Sequence, residues 1–297
     1  TGFGKNKKNI MRYLFDTGKY NLVELANGID GNNPITQTVP WKCMGSLLPP
    51  ENMQGLPADR QREEGYGLTL VDQAVKKFKP DVYIGIEDIW AFNNYHIKPW
   101  WNKVNTMIWT TLDSLPILPQ AIEYAPKIKN YYVWSSFAEN ALAEQGYDHV
   151  KTLRGSLDTK NFFRLEDKKR KILRQNHGLN DEYIIGFVFR NQLRKSVPNL
   201  LEAFQAFKKK EPKAKLLLHT HWSEGWDIPR ILGEKNIKTE DVLTTYVCNK
   251  CHSYHVRSFT GQEQGCPHCG TQKSCNTTNT NKGVSETQLN EIYNLMD

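Results

Sequence analysis

YIIGFVFRNQLRKSVPNLLEAFQAF, Tyr183 to Phe207, changes its hydrophobic pattern halfway along. Ile184 to Phe189 is a short apolar run, as in a fully buried strand. It stops at Arg190. Lys195 follows five residues on, then Ser196 and Pro198, then the helical spacing of Leu200, Leu201, Phe204 and Phe207. Ser196 suits an N-cap, and a proline in the first helical turn gives up no needed donor. The unit predicted is strand, loop, helix, with two cations in the loop. In an open α/β sheet, ligands bind beyond the carboxyl ends of strands, near helix N-termini. Arg190 and Lys195 would aim two positive charges at that crevice, which suits a diphosphate. Solvated loop charges would look the same in sequence.

Outward from this unit, 297 residues are long for one core and comfortable for two domains. With 39% hydrophobic and 24% charged residues, the chain is globular. No apolar run is long enough for a membrane span and no signal peptide opens the chain, so a cytoplasmic location is expected. A net charge of +7 fits an anionic ligand, a nucleotide or a nucleic acid, but is also common in proteins with neither. The six cysteines include two CxxC pairs, which argue for metal in a reducing compartment rather than disulfides.

At the start, Gly2 and Gly4 sit in a glycine-containing loop, followed by a helix with Ile10, Met11, Leu14 and Phe15 on one face and Gly18 past its end. Tyr20 to Leu25 predicts a strand, and the Pro/Gly/Asn/Gln-rich run 27–65 mostly loop, with a short strand near Thr38 to Met44. Cys43 suits a buried free thiol. A helix from Leu68 to Phe78 and a strand from Asp81 to Ile86 give the βαβ alternation of a parallel sheet. Glu87 and Asp88 follow that strand, where paired carboxylates can act as base, acceptor ligand or metal ligands, or merely cap a loop. His96 lies in the same loop, and Trp100 and Trp101 either stack on a ligand ring or close the core. Met107 to Thr111 is a further strand, followed by Asp113, which taken by itself suits a turn cap. Tyr131 to Ser135, a helix capped by Ser136 and ended by Gly146, and a strand from Val150 to Leu153 complete the first domain, 1–163. A charged helix over 164–177 connects it to the second, 178–297.

Beyond the opening unit, Lys215 to His219 is a strand with Thr220, His221 and Trp222 at its end, and a helix starts at Asp227. Thr244 to Val247 is the next strand. Between it and a Ser285-capped helix faced by Leu289, Ile292, Tyr293 and Met296 lies an insert, 247–276. Cys248 and Cys251 are separated by fourteen residues from Cys266 and Cys269. Two such pairs form two knuckles around one tetrahedral Zn²⁺ with no open position, a structural zinc ribbon. His252, His255, His268 and Cys275 are spare ligands. Tyr254, His255 and Arg257 at the ribbon tip are positioned to meet nucleic acid, unless the insert only stiffens a loop.

Several of these segments resemble the glycosyl transferase group 1 family, the retaining nucleotide-sugar enzymes of GT-B fold. The resemblance lies in the strand-Arg190-Lys195-helix unit, in Asp113 with Pro116, in Gly155, Asp158 and Phe162 after the Val150 strand, and in GVSETQLNEIYNLMD from Gly283 to Asp297. It implies two Rossmann-like domains facing a cleft, with Arg190 and Lys195 on the donor diphosphate. Gly2 and Gly4 would touch donor and acceptor at that cleft, and Asp113 would lie near the transferred sugar. It implies a nucleotide-sugar donor, and leaves the acceptor open between a glycan, a small molecule and modified DNA. Relative to the family, a first strand and an acidic donor-binding segment are missing, so both ends look incomplete; the ribbon is added. The competing expectation is a nucleic-acid-binding protein on the same scaffold.

Overall fold

A computed structural model of the chain describes residues 2–279 and 281–297. Thr1, in the expected first domain, and Thr280, just after the insert, lie outside them. The chain divides into two compact units, Thr1–Leu157 and Asp158–Asp297.

The first unit contains helices α1 (Gly2–Asp16), α2 (Pro50–Met53), α3 (Ala58–Gly65), α4 (Leu70–Phe78), α5 (Pro119–Tyr124) and α6 (Ser136–Ala143). Its strands are β1 (Val23–Asp30), β2 (Lys42–Leu47), β3 (Val82–Ile86), β4 (Asn105–Thr110), β5 (Asn130–Val133) and β6 (Lys151–Thr152). β3 to β6 form a parallel sheet in chain order, while β1 and β2 pair with each other in a separate two-stranded sheet, also in parallel. The core gathers Ile89, Trp101, Ile108, Tyr131, Val133 and Leu142, all nearly inaccessible. Two local expectations change. The run 27–65 is not mostly loop: it contains the end of β1, β2 and two helices. α3 reads ADRQREEG and has no apolar period to find; its buried residue is Glu64, whose carboxylate accepts from Thr69 N and Oγ1. The cap of α6 is Ser135, one residue earlier than expected, accepting from Ala138 N.

The second unit contains α7 (Asp167–Asn176), α8 (Val197–Lys208), α9 (Ile228–Glu234) and α10 (Glu286–Leu295), with β7 (Tyr183–Val188), β8 (Ala214–His219), β9 (Val242–Cys248), β10 (Tyr254–Ser258) and β11 (Cys275–Thr277). β7, β8 and β9 are parallel neighbours. β7 is an edge strand of this sheet, so only Ile184 in it is fully buried, not the whole run. The insert is built onto the sheet. β10 pairs antiparallel along one edge of β9, and β11 pairs with Tyr246–Cys248, past the stretch of β9 that β8 occupies.

The division at Leu157/Asp158 falls ahead of the expected boundary at 163, and the expected connecting helix belongs to the second unit. Asn290 and Asn294 of α10 explain this: they accept from the backbone N–H groups of Phe163 and Leu165 at 3.0 and 2.8 Å. The charged helix is tied to the chain end by its arginines. Arg170 and the buried Arg174 of α7 donate to the carbonyls of Asn294, Leu295 and Met296, and both pair with Asp297. Cations at a helix C-terminus satisfy its orphan carbonyls. α10 has the expected Ser285 capping box, but its buried face is Ile292 and Leu295 with the two asparagines, and Tyr293 points outward. Among the described residues no helix is long and apolar enough to cross a membrane.

Candidate functional site

The loop between β7 and α8 carries both predicted cations. Leu193–Lys195 make one tight turn, and Ser196 follows in the left-handed region at φ 48°. Ser196 stands at the N-cap as expected, but its side chain caps nothing; its carbonyl accepts from Asn199 and Leu200 N. Arg190 is not a free loop charge. Its Nε and Nη2 donate to Oε1 of Glu224 at 2.8 and 2.5 Å, with the side chain still 63% exposed. That bond holds the Glu224 carboxyl below its usual range. Only one edge of the guanidinium is used, so a planar fork of donors remains for an anion. Among the described residues the Lys195 side chain has no ion-pair partner, and it too sits at the N-terminal approach to α8.

Behind Arg190, buried Asn191 ties this loop to the one after β8. Its Nδ2 donates to Trp226 O at 2.7 Å and its Oδ1 accepts from Trp226 N at 3.0 Å. Trp226 Nε1 donates to Leu193 O at 3.0 Å. Gly225 lies so close that a Cβ there would stand 2.7 Å from Asn191 O. Asn191, Glu224 and Gly225 were not legible as site residues in the sequence, because the two loops they join are separated by α8 and β8.

In the first unit, the carboxyl end of the sheet gathers part of the predicted set. Glu87 follows β3, accepts from Asn27 Nδ2 at 3.2 Å, and burial raises its carboxyl above the usual range. Asp88 Oδ1 accepts from Thr111 Oγ1 at 2.6 Å, joining the ends of β3 and β4. Asp113 stands exposed just after β4, and among the described residues its side chain caps no turn. Gly2 and Gly4 do not form a loop: they lie in the first turn of α1, where Phe3 packs edge-on against Trp134 just past β5. His96 is carried away from the two carboxylates. Its ring lies on Tyr124 and 3.3 Å from Lys127 Nζ, in the run leading to the amino end of β5, and burial and that cation lower its pKa. Trp100 and Trp101 are core, with Nε1 donating to Asp72 Oδ1 and Lys127 O.

The four predicted cysteines converge. The sulfurs of Cys248, Cys251, Cys266 and Cys269 all lie within 4.8 Å of one another, with Cys248–Cys269 at 3.8 Å and Cys251–Cys266 at 3.6 Å. A tetrahedral ion with metal–sulfur bonds of about 2.3 Å requires sulfurs about 3.8 Å apart, so the cluster fits such an ion. The two knuckles repeat one geometry. His252 N bonds to Cys248 O and Gly270 N to Cys266 O, and both residues take positive φ, 57° and 72°. Ser274 Oγ and nearby backbone N–H groups bring the Cys248 thiol down to about 5. His252, His255, His268 and Cys275 stand outside the four-sulfur cluster. The expected nucleic-acid contacts do not form a tip. Tyr254 and His255 are buried in β10, Tyr254 donating to Glu291 Oε2 at 2.8 Å, and only Arg257 is exposed.

No protein-family description matches the chain, and no curated protein matches it significantly. Solved structures do. Sucrose-phosphate synthase from Thermosynechococcus elongatus matches 95% of this chain with a TM-score of 0.57 at 14% identity, and the chain spans 65% of that protein. S. aureus MnaA in complex with UDP matches 74% of this chain and 67% of its own, at 10% identity and a TM-score of 0.45. UDP-GlcNAc 2-epimerase from Neisseria meningitidis bound to UDP-GlcNAc matches 74% and 71%, at 10% identity and 0.43. The fold is of the GT-B kind, mixed α/β with parallel sheets, carrying a small four-cysteine insert.

Proposed function

We propose that the chain acts as a nucleotide-sugar glycosyltransferase, moving a sugar from a nucleoside-diphosphate donor to an acceptor hydroxyl with retention at the anomeric carbon. The observation that carries this is the loop between β7 and α8. Arg190 is held by one edge by Glu224, and Lys195, with no ion-pair partner among the described residues, sits five residues on, at the N-terminus of a helix in a GT-B fold. Preorganised cations at the leaving diphosphate stabilise the charge that develops as the sugar departs. Within the first unit, Asp113 and the first turn of α1, with Gly2 and Gly4, are the candidates to meet the sugar, and Glu87 and Asp88 the candidates to meet the acceptor. His96, packed on Tyr124, is left out. Cys248, Cys251, Cys266 and Cys269 would hold a structural Zn²⁺, which with four thiolates has no open position for chemistry. The likeness in fold to a sucrose-phosphate synthase supports a sugar substrate.

The test is a thermal-shift panel of UDP, GDP, ADP, CDP and TDP on the chain beside an Arg190→Ala/Lys195→Ala variant. Arg190 is exposed and Lys195 only partly buried, so the variant should melt near the wild type without ligand. Stabilisation by one nucleotide, lost in the variant, is the expected result. No shift with any of the five would overturn the proposal.

A further inference from the structure

The ribbon reaches the loop that holds Arg190 at two points, Phe259 between its two cysteine pairs and Thr278 just past its end. Past β10, Phe259 stacks face to face on Trp222, with ring centroids 3.6 Å apart and planes 4° apart. Both rings are buried, at 9% and 4% exposure. Trp222 Nε1 donates to Thr244 Oγ1 at 2.8 Å, in the strand that ends at Cys248. Past β11, buried Thr278 donates its hydroxyl to Thr220 O at 3.1 Å. Thr220 and Trp222 open the loop after β8, and Ile228 N closes it on Trp222 O at 3.0 Å. Within that loop lie Glu224, which orients Arg190, and Trp226, which exchanges bonds with Asn191.

We infer that the four-cysteine ribbon positions the anion-binding loop: Phe259 and Thr278 fix the Thr220–Trp226 loop, and Glu224 and Asn191 pass that order to Arg190. The inference rests on Arg190 receiving the donor diphosphate. Around the cysteines themselves the apolar cluster is small, Cys248, Cys266 and Cys275 with Tyr246, whereas Tyr254 and Val256 pack into the sheet core and Phe259 into the cluster of Trp222. The two knuckles therefore keep their fold through the metal staple. Metal at the cysteines therefore favours the ordered loop, and by linkage a nucleotide on the loop favours the metal-bound ribbon. Phe259 and Thr278 are positioning residues, since they act through Trp222 and Thr220.

The experiment uses the 297-residue chain loaded with Zn²⁺. It compares wild type with Phe259→Ala, Phe259→Tyr and Thr278→Val. Two quantities are read: the Kd of whichever of UDP, GDP, ADP, CDP and TDP the wild type binds most tightly, and amide exchange along the chain. Phe259→Ala should weaken nucleotide binding about tenfold and speed exchange at the Trp226 amide, with zinc content and the protection of β8 and β9 retained. Phe259→Tyr should restore both. Thr278→Val, which removes a hydrogen bond without removing volume, should move both the same way by a smaller factor. Unchanged Kd and unchanged Trp226 exchange in Phe259→Ala and Thr278→Val would overturn the inference. If the wild type binds none of the five nucleotides, the transferase proposal fails separately. Exchange at Trp226 then decides alone: faster exchange in Phe259→Ala sustains the positioning, and unchanged exchange overturns it.

Discussion

Asn191 and Trp226 are joined by a reciprocal pair of hydrogen bonds, side-chain amide to backbone carbonyl and backbone N–H to side-chain oxygen, at 2.7 and 3.0 Å. The pair resembles a piece of sheet ladder made by a side chain, and it locks two loops that the sequence places far apart. Asn191 is 1% exposed and Trp226 is half-buried, so the Trp226 backbone groups are only partly open to water when the side chain is cut. Asn191→Ala should therefore lose about 1–2 kcal/mol of stability, the cost of leaving part-buried backbone groups unmade. Asn191→Asp should do no better, because it keeps an acceptor and sets a carboxylate against the Trp226 carbonyl. Urea unfolding of the two variants against wild type checks this; equal midpoints would refute the clasp.

Gly225 explains why the two loops can lie so close. An added Cβ would meet Asn191 O at 2.7 Å and Gln192 Cα at 3.0 Å, both backbone atoms that cannot swing aside. Gly225→Ala should cost about 1–3 kcal/mol, the range of overpacking. It should also weaken nucleotide binding, because the strain falls on the residues next to Arg190. Isothermal titration of the variant, with wild-type affinity as the disconfirming result, tests the second part.

What was legible in the sequence follows from how local the signal was. The parallel strands and the helices with an apolar stripe, α4, α8 and α10, could be read because burial writes a period into them. The four cysteines could be read because a tetrahedral site needs two short spacings. α3 could not, since its buried residue is a glutamate. Nor could the burial of Tyr254 and His255, which depends on β10 joining the edge of β9 instead of projecting from it. The Glu224 partner of Arg190 was invisible for a related reason: an ion pair across two loops leaves no spacing rule. Gly2 and Gly4 misled because glycine permits a loop without requiring one.

The cysteine cluster makes a stoichiometric prediction. The chain should bind one Zn²⁺, and Cys248→Ser or Cys266→Ser, each removing a buried thiolate, should abolish tight binding. Cys43→Ser and Cys275→Ala should keep it, since both thiols lie outside the cluster. Metal analysis after dialysis gives the count. Chelation should lower the melting temperature of the second unit, because the ribbon strands complete the sheet on both sides of β9. Retention of zinc in Cys248→Ser would mean that another side chain serves as fourth ligand.

His219 sets a direction for pH dependence. It ends β8, meets Thr245 Oγ1 at 3.0 Å, and among the described residues pairs with no carboxylate. Burial lowers its pKa from 6.5 to about 4. Between those values the unfolded chain binds a proton that the folded chain refuses, so stability is full above 6.5 and falls as the pH drops toward 4. The shift sets a ceiling of about 3 kcal/mol on the loss from this one ring. His177 and His255 are lowered to about 4 as well, so acid sensitivity by itself does not identify His219. The variant His219→Asn isolates it, keeping a polar group beside Thr245 without a titrating ring. Measured by urea unfolding from neutral pH downward, the stability of wild type relative to the variant should decline through this window. A gap that stays constant with pH would show that the folded chain protonates His219 as readily as the unfolded one.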